Sequence, residues 1–190
     1  SAVRDDQKNI QNYVALFTDI TEQKVHQEQL EHIAYHDALT NLPNRTLLRD
    51  RLQQAIAQAR RHGTTVAVVY LDLDGFKEVN DEFGHDVGDR LLMEVATRLQ
   101  HTLREEDTVA RLGGDEFVAV LVGLQNASAS IDLLPRLLGA ATQPLHVGNT
   151  TRNVSASLGV TFFPQSDAVD ADQLLRQADQ AMYRAKLDGK

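Results

Sequence analysis

Two short acidic segments of this 190-residue chain carry side chains suited to holding a cation. The first is Leu71-Asp72-Leu73-Asp74, where acids alternate with leucines at the end of an apolar, β-branched run. Successive side chains of a strand point to opposite faces, so Asp72 and Asp74 share one face where the strand hands over to a loop. The second is Gly113-Gly114-Asp115-Glu116-Phe117, which sets two acids at or just after a glycine pair. Adjacent glycines supply positive φ at little cost and let a ligand approach the backbone closely. A hairpin packed beside the first strand brings three or four carboxylates face to face. Such a cluster repels itself and its pKa values rise; Mg²⁺ removes that penalty and prefers carboxylate oxygen together with substrate phosphates. Paired divalent ions activate an attacking hydroxyl and stabilise leaving pyrophosphate, which is the chemistry of nucleotidyl transfer. The plainer account, a strand end and a glycine turn, fits either motif alone and fits the two together poorly.

Between the motifs runs Lys77-Glu78-Val79-Asn80-Asp81-Glu82-Phe83-Gly84-His85-Asp86-Val87-Gly88-Asp89, dense in groups that can read a base. An amide and a carboxylate, Asn80 and Asp89, can together accept from guanine N1–H and N2–H₂ and donate to O6, a pattern adenine cannot match. On spacing alone, Asn80 as a helix cap and Asp89 as an acid near a helix N-terminus account for the same residues. Lys77 and Lys186 are candidates for neutralising triphosphate charge, although single lysines are ordinarily solvated surface residues. Arg104-Glu105-Glu106-Asp107, just upstream of the hairpin, reads either as an exposed helix end with a local ion pair or as a clamp for a guanine nucleotide.

The elements that must position these groups can be read from periodicity. Residues 13–18 form a β-prone run, and Asp19 with Glu22 has capping-box spacing ahead of a helix over about 21–35. That helix has a thin apolar stripe of Val25, Leu30, Ile33 and Ala34, as a connector would. Thr40-Asn41-Leu42-Pro43 predicts a helix start with Pro43 in the first turn, and Leu47, Leu48, Leu52, Ile56 and Ala59 recur at helical spacing until Gly63. A buried strand is expected over 66–71, then helices near 76–83 and 87–103, then a hairpin of 108–112 with 116–122. A helix near 127–141, strands near 144–147, 153–157 and 159–163, and a last helix over 171–187 complete the chain. This order is that of an α+β domain with a mainly antiparallel central sheet flanked by helices.

Composition sets outer bounds. Hydrophobic residues make up 42% and charged residues 24%, enough apolar surface to offset the entropy of ordering one domain of about 150 residues and an appendage. A net charge of −8 argues against a broad nucleic-acid or anionic-membrane surface, so a bound nucleotide is expected to be small rather than polymeric. Cysteine is absent, which excludes disulfides and thiolate chemistry and fits a cytoplasmic location. No apolar run approaches the roughly 20 residues that span a bilayer, so no membrane contact is expected from this segment. The chain opens in a strand-like run and stops at Asp188-Gly189-Lys190 without an evident tail, the pattern of a piece of something longer, whose other parts can include membrane segments.

From about His36 to Lys190 these segments resemble the GGDEF family of diguanylate cyclases. The resemblance rests on Asp37-Ala38-Leu39-Thr40-Asn41-Leu42-Pro43-Asn44-Arg45, on Leu71-Asp72-Leu73-Asp74-Gly75-Phe76-Lys77 with Asn80-Asp81 and Gly84-His85-Asp86-Val87-Gly88-Asp89, and on Ala110-Arg111-Leu112-Gly113-Gly114-Asp115-Glu116-Phe117. It implies a fold like the palm of nucleotidyl cyclases and polymerases. It implies condensation of two GTP into cyclic di-GMP with loss of two pyrophosphates, by a homodimer in which each subunit holds one GTP. Under it, Asp72, the Leu73 carbonyl, Asp115 and Glu116 bind Mg²⁺ or Mn²⁺. Asn80 and Asp89 read guanine, and Phe76 and His85 belong to the same substrate segment. Asp115 is the family's general-base position, though metal coordination alone can acidify the hydroxyl. Lys77 and Lys186 touch phosphate, and Lys190 stands where the family usually has arginine, so a bidentate contact becomes a point charge. Arg104 and Asp107 have the spacing of the family's inhibitory product site, which implies feedback by cyclic di-GMP. Residues 1–20 resemble the tail of a PAS sensor domain, 21–36 a signalling helix that pairs subunits, and 37–190 the cyclase domain. Tandem proteins with a following phosphodiesterase domain carry similar motifs. The competing expectation is a non-catalytic domain that senses GTP or cyclic di-GMP and regulates a neighbour.

Overall fold

A computed structural model of the protein describes residues 2–4, 7, 10–13, 19–147 and 150–188. The chain divides into two compact units, residues 1–33 and 34–190. In the first unit β1 (Ala2–Arg4) pairs antiparallel with β2 (Ile10–Tyr13). The β-prone run expected over 13–18 otherwise lies outside the described residues. Helix α1 (Thr21–Tyr35) follows in the predicted span. Its entry is tied by Asp19, whose carboxylate accepts from Thr21 N at 2.9 Å rather than from the third helical residue that a capping box requires.

The second unit is built on one central strand, β3 (Thr65–Asp74). β5 (Glu116–Leu124) and β8 (Ser155–Phe163) flank it, and β4 (Thr108–Gly113) lies outside β5, giving the order β4-β5-β3-β8 with every pairing antiparallel. Helices cover both faces, so β3 alternates between two cores rather than between core and water. Ala67, Val69, Leu71 and Leu73 pack with Leu91, Leu92, Val95 and Leu99 of α4 (His85–Thr102) and with Leu137 and Ala140 of α5 (Leu133–Ala141). Val66, Val68 and Tyr70 pack with Leu48, Leu52 and Ile56 of α2 (Arg45–His62) and with Leu174, Ala178 and Met182 of α6 (Ala171–Leu187). The α+β class with an antiparallel sheet is as expected.

Four element boundaries differ from the sequence reading, each for a local reason. Helix α2 begins at Arg45, not near residue 40, because Asp37 closes its own turn. Its side chain accepts from Thr40 N and Thr40 Oγ1, its carbonyl accepts from Asn41 N, and its amide donates to Leu42 O. Asn44 then caps α2 through Thr46 N and Leu47 N, and Gly63 ends it in the left-handed conformation at φ 67°. β3 runs on to Asp74, since Asp72 and Asp74 stay paired with Ser157 and Ser155 of β8; both acids sit in the sheet and not on a loop. The stretch 127–141 splits into a 3₁₀ turn (Ala127–Ser130), capped by Asn126, and α5. Between β6 (Leu145–Val147), β7 (Thr150–Arg152) and α6 there is one strand, β8, where two were expected.

Gly159 explains the last difference. A Cβ there would stand 2.0 Å from Met182 N and 2.3 Å from Ala178 O. The glycine therefore does not break β8; it lets the backbone of α6 lie directly on the strand. Helix α6 starts at a capping box, with Asp170 accepting from Gln173 N and Gln173 bonding back to Asp170 N. Its C-terminal end, with Lys186, is thereby carried across the sheet to Asp72. No helix among the described residues is long and apolar enough to cross a membrane.

Candidate active site

The acidic residues gather at the tip of β3. Asp72 stands opposite Glu116 of β5 and opposite Ser157 of β8. The turn between β4 and β5 is made by Gly113 at φ 144° and Gly114 at φ 52°, conformations that a side chain would oppose. Leu73 N donates to Asp115 O at 3.3 Å, which holds the turn against β3. The hairpin thus packs beside the first strand.

Each acid has a different partner. Lys186 Nζ of α6 lies 2.5 Å from Asp72 Oδ1 and 3.7 Å from Asp74 Oδ1. Asp74 also accepts from Ser157 Oγ at 3.0 Å and from Ser155 Oγ at 3.3 Å. Tyr70 Oη donates to Glu116 Oε2 at 3.0 Å. Burial pushes the Asp115 carboxyl above its usual range and the charge of Asp72 adds to the effect, against its own backbone amide and, less, against Lys186 and Arg111. The bond to Asp72, together with the charges of Asp72, Asp74 and Asp115, raises the Lys186 ammonium above the ordinary lysine value against a desolvation cost. Among the described residues no three acidic or histidine side chains are grouped so as to hold a metal ion by themselves. The cation standing on Asp72 is the lysine.

The turn is anchored from a distance. Arg111, its side chain 10% exposed, donates from Nε and Nη2 to Gly114 O and from Nη1 to Asp37 Oδ1 at 2.8 Å. Burial opposes charge on Asp37, but the bonds from Thr40 and Arg111 outweigh it and hold the carboxyl below its usual range. One guanidinium therefore ties the turn at 37–42 to the glycine turn.

The base-reading candidates lie on α3 (Phe76–Phe83) and α4. Asn80 sits inside α3, so it is not an N-cap, and its Oδ1 is buried with no hydrogen-bond partner. A Cβ on Gly88 would stand 2.0 Å from that oxygen and 3.3 Å from Phe76 Cε2. Helix α4 meets α3 here because position 88 has no side chain, and exposed Asp89 follows directly. Asp89 is the fifth residue of α4; the acid in its first turn is Asp86. Lys77 and His85 are exposed, Phe76 packs partly into the core, and Lys190 lies outside the described residues.

Arg104 and Asp107 stand at the start of β4, away from the acids. Asp107 Oδ1 accepts from Val122 N at 3.0 Å and Oδ2 from Arg104 N at 3.2 Å, while the Arg104 side chain is 72% exposed and 3.9 Å from Glu106. Both residues line a cavity of about 450 Å³ with His101, Asp132 and Arg136.

Residues 34–190 match the family model for the GGDEF domain of diguanylate cyclases. The chain belongs to the GGDEF family. It is 46% identical over 162 residues to the bifunctional diguanylate cyclase/cyclic di-GMP phosphodiesterase MucR of Pseudomonas aeruginosa, covering 85% of this chain and 23% of that protein. Among solved structures, the isolated GGDEF domain of TpbB from Pseudomonas aeruginosa superposes with a TM-score of 0.76 at 38% identity, covering 80% of this chain and 89% of that one. The coiled coil and GGDEF domain of DgcB from Caulobacter crescentus, in complex with c-di-GMP, gives 0.78 at 28% identity and 90% coverage of each chain. This GGDEF chain spans about a third or less of the length of the curated relatives MucR and TpbB.

Several residues of this GGDEF site escaped the sequence reading. Tyr70 lies two positions before Asp72 and shares its face, so alternation alone would have found it. Arg111 lies inside the motif over 110–117, where nothing in its own type points to Asp37. Ser157 and Gly159 gave no signal, because their meaning depends on which strand and helix lie against them.

Proposed function

We propose that this GGDEF domain condenses two GTP into cyclic di-GMP with release of two pyrophosphates, acting as a homodimer with one GTP on each subunit. The observation that carries the reading is the acid cluster at the tip of β3, where Asp72 faces Glu116 in register and a lysine ammonium already rests on Asp72. In each half-reaction the 3′-hydroxyl oxygen of one GTP forms a bond to the α-phosphorus of the other. The bond from that phosphorus to the pyrophosphate oxygen breaks, and the hydroxyl proton leaves to Asp115 or to water.

The donor set suits a divalent ion of the Mg²⁺ or Mn²⁺ kind, because a few carboxylates plus a backbone carbonyl leave positions for substrate phosphates. Asp72, the Leu73 carbonyl, Asp115 and Glu116 would hold it. Such an ion, when bound, neutralises the phosphates and acidifies the attacking hydroxyl. Lys186, now on Asp72 and Asp74, would turn to the triphosphate, with Lys77 and Lys190 adding positive charge. Asn80, its buried oxygen lacking a partner, would accept from guanine beside Asp89, with Phe76 and His85 lining the same site. An unpaired polar atom of this kind rejects a base that lacks the matching donor.

Three further assignments concern regulation and setting. Arg104 and Asp107 would bind product and inhibit, with Arg136 on the same cavity wall. Residues 1–20 would close a PAS-like sensor and 21–36 would pair two subunits, consistent with the exposed Val25, Leu30 and Ile33 of α1. A cytoplasmic location would follow from the supply of GTP. The deciding experiment incubates the protein, held as a dimer, with GTP and Mg²⁺ and measures cyclic di-GMP and pyrophosphate in a 1:2 ratio. Folded dimer that binds GTP and releases neither product would leave nucleotide sensing as the function.

A further inference from the structure

We infer that Tyr70 is a positioning residue for Glu116, fixing which oxygen of that carboxylate is offered to a divalent cation; the inference rests on the metal-dependent reading above. Tyr70 is 6% exposed and packs in the core between β3, α2 and α6. Val66 and Val68 precede it on the same face, and that row needs no hydroxyl for packing. A buried phenol without a partner is costly. The partner is Glu116 Oε2 at 3.0 Å.

Register makes the contact specific. Tyr70 pairs with Val118 and Asp72 with Glu116, so the bond from Tyr70 reaches Glu116 from the interior side, along the row that runs on through Asp72 to Asp74. One carboxylate oxygen is engaged by the phenol, and the other is the one that an ion shared with Asp72 would engage. Hydrogen bonds behind a metal ligand typically change metal affinity by about 10- to 100-fold when removed.

The test compares Tyr70→Phe, Glu116→Gln and the double substitution in the dimeric protein. Mn²⁺ binding is read by electron paramagnetic resonance with a non-hydrolysable GTP analogue present, so turnover is not the readout. Tyr70→Phe is expected to weaken Mn²⁺ about tenfold, with a melting temperature near that of the parent. In the Glu116→Gln background the same change is expected to add nothing, because the two residues act through one bond. Excess Mn²⁺ is expected to restore most of the turnover lost by Tyr70→Phe. Tyr70→Met, which also lacks the hydroxyl, repeats the measurement with a different fit to the core. Parent-like Mn²⁺ affinity in both Tyr70 variants, beside weakened binding in Glu116→Gln, would reduce Tyr70 to packing and overturn the inference alone. Unchanged affinity in Glu116→Gln would remove the metal role of Glu116 and the inference with it.

Discussion

At the start of β4, Asp107 uses both carboxylate oxygens on backbone amides, those of Val122 and Arg104. At the other end of the same hairpin, Asp115 is half-buried beside a like charge, and Asp72 is met by a lysine side chain that is itself 42% exposed. Burial raises the carboxyl pKa at both ends. The compensation differs. Backbone amides cannot leave, so Asp107 is fixed by the fold and serves the loop that presents Arg104. A lysine side chain can leave, so Asp72 is held by a cation that another cation can replace. An acid with both oxygens on backbone amides is architecture first, and an acid met by an exposed side-chain counter-charge can exchange that partner.

The largest effect should come from removing charge at the available end. Asp115→Asn is expected to lower turnover by about a hundredfold or more. Stability should move the opposite way. The folded state binds the Asp115 proton more tightly than the unfolded chain does, so this residue costs stability as pH rises above the ordinary carboxyl value. Asp115→Asn should therefore melt at or above the parent at pH 7, with the difference shrinking below about pH 4. Thermal melts across that range check the sign. A variant that loses stability and activity together at pH 7 would place Asp115 in the same class as Asp107.

Gly159 offers a way to disturb one end and spare the other. A methyl group there meets the backbone of α6 at Met182 and Ala178, which cannot rotate away. Overpacking of this kind costs about 1–3 kcal/mol. The expected signature of Gly159→Ala is a lower melting temperature and a raised KM for GTP, since Lys186 rides on the displaced helix. The proposed binding of cyclic di-GMP at Arg104 should change little. A KM equal to that of the parent, in a protein that still melts lower, would separate the packing of α6 from the placement of Lys186.

The same contrast explains what was legible in the sequence. Residues whose place follows from their own chemistry and spacing could be read directly: the alternating Asp72 and Asp74, the glycine pair, and the helices over 76–83 and 171–187. Residues whose role is set by a distant partner could not. Thr40-Asn41-Leu42-Pro43 predicts a helix start, whereas the bonds of Thr40 go back to Asp37 and the cap is Asn44. Gly159 reads only as the first residue of a separate strand over 159–163, because nothing in its neighbourhood announces that α6 will press on it. Arg111 reaches Asp37 across 74 positions of chain. Asn80 fell between these cases: two readings were open, and its place inside α3 with an unpartnered oxygen closed the capping one.

The smallest effects belong to the Arg104 end, and they test whether that end binds anything. Asp107→Ala leaves two amides without their acceptor, for about 1–2 kcal/mol of stability. Any loss of product binding in that variant would be ambiguous, because the loop itself changes. Arg104 is the cleaner probe: its side chain is 72% exposed and its ion pair with Glu106 is a loose 3.9 Å contact, so truncation should cost almost no stability. One lost charge-assisted bond to a phosphate corresponds to roughly a tenfold weaker interaction. Arg104→Ala is thus expected to raise the cyclic di-GMP concentration needed for half-inhibition about tenfold, measured against initial rates taken before product accumulates. Arg136→Ala, on the same cavity wall, should act in the same direction. If neither substitution moves the inhibition curve, the start of β4 is structural throughout, and the proposed nucleotide site of this hairpin is confined to its acid tip.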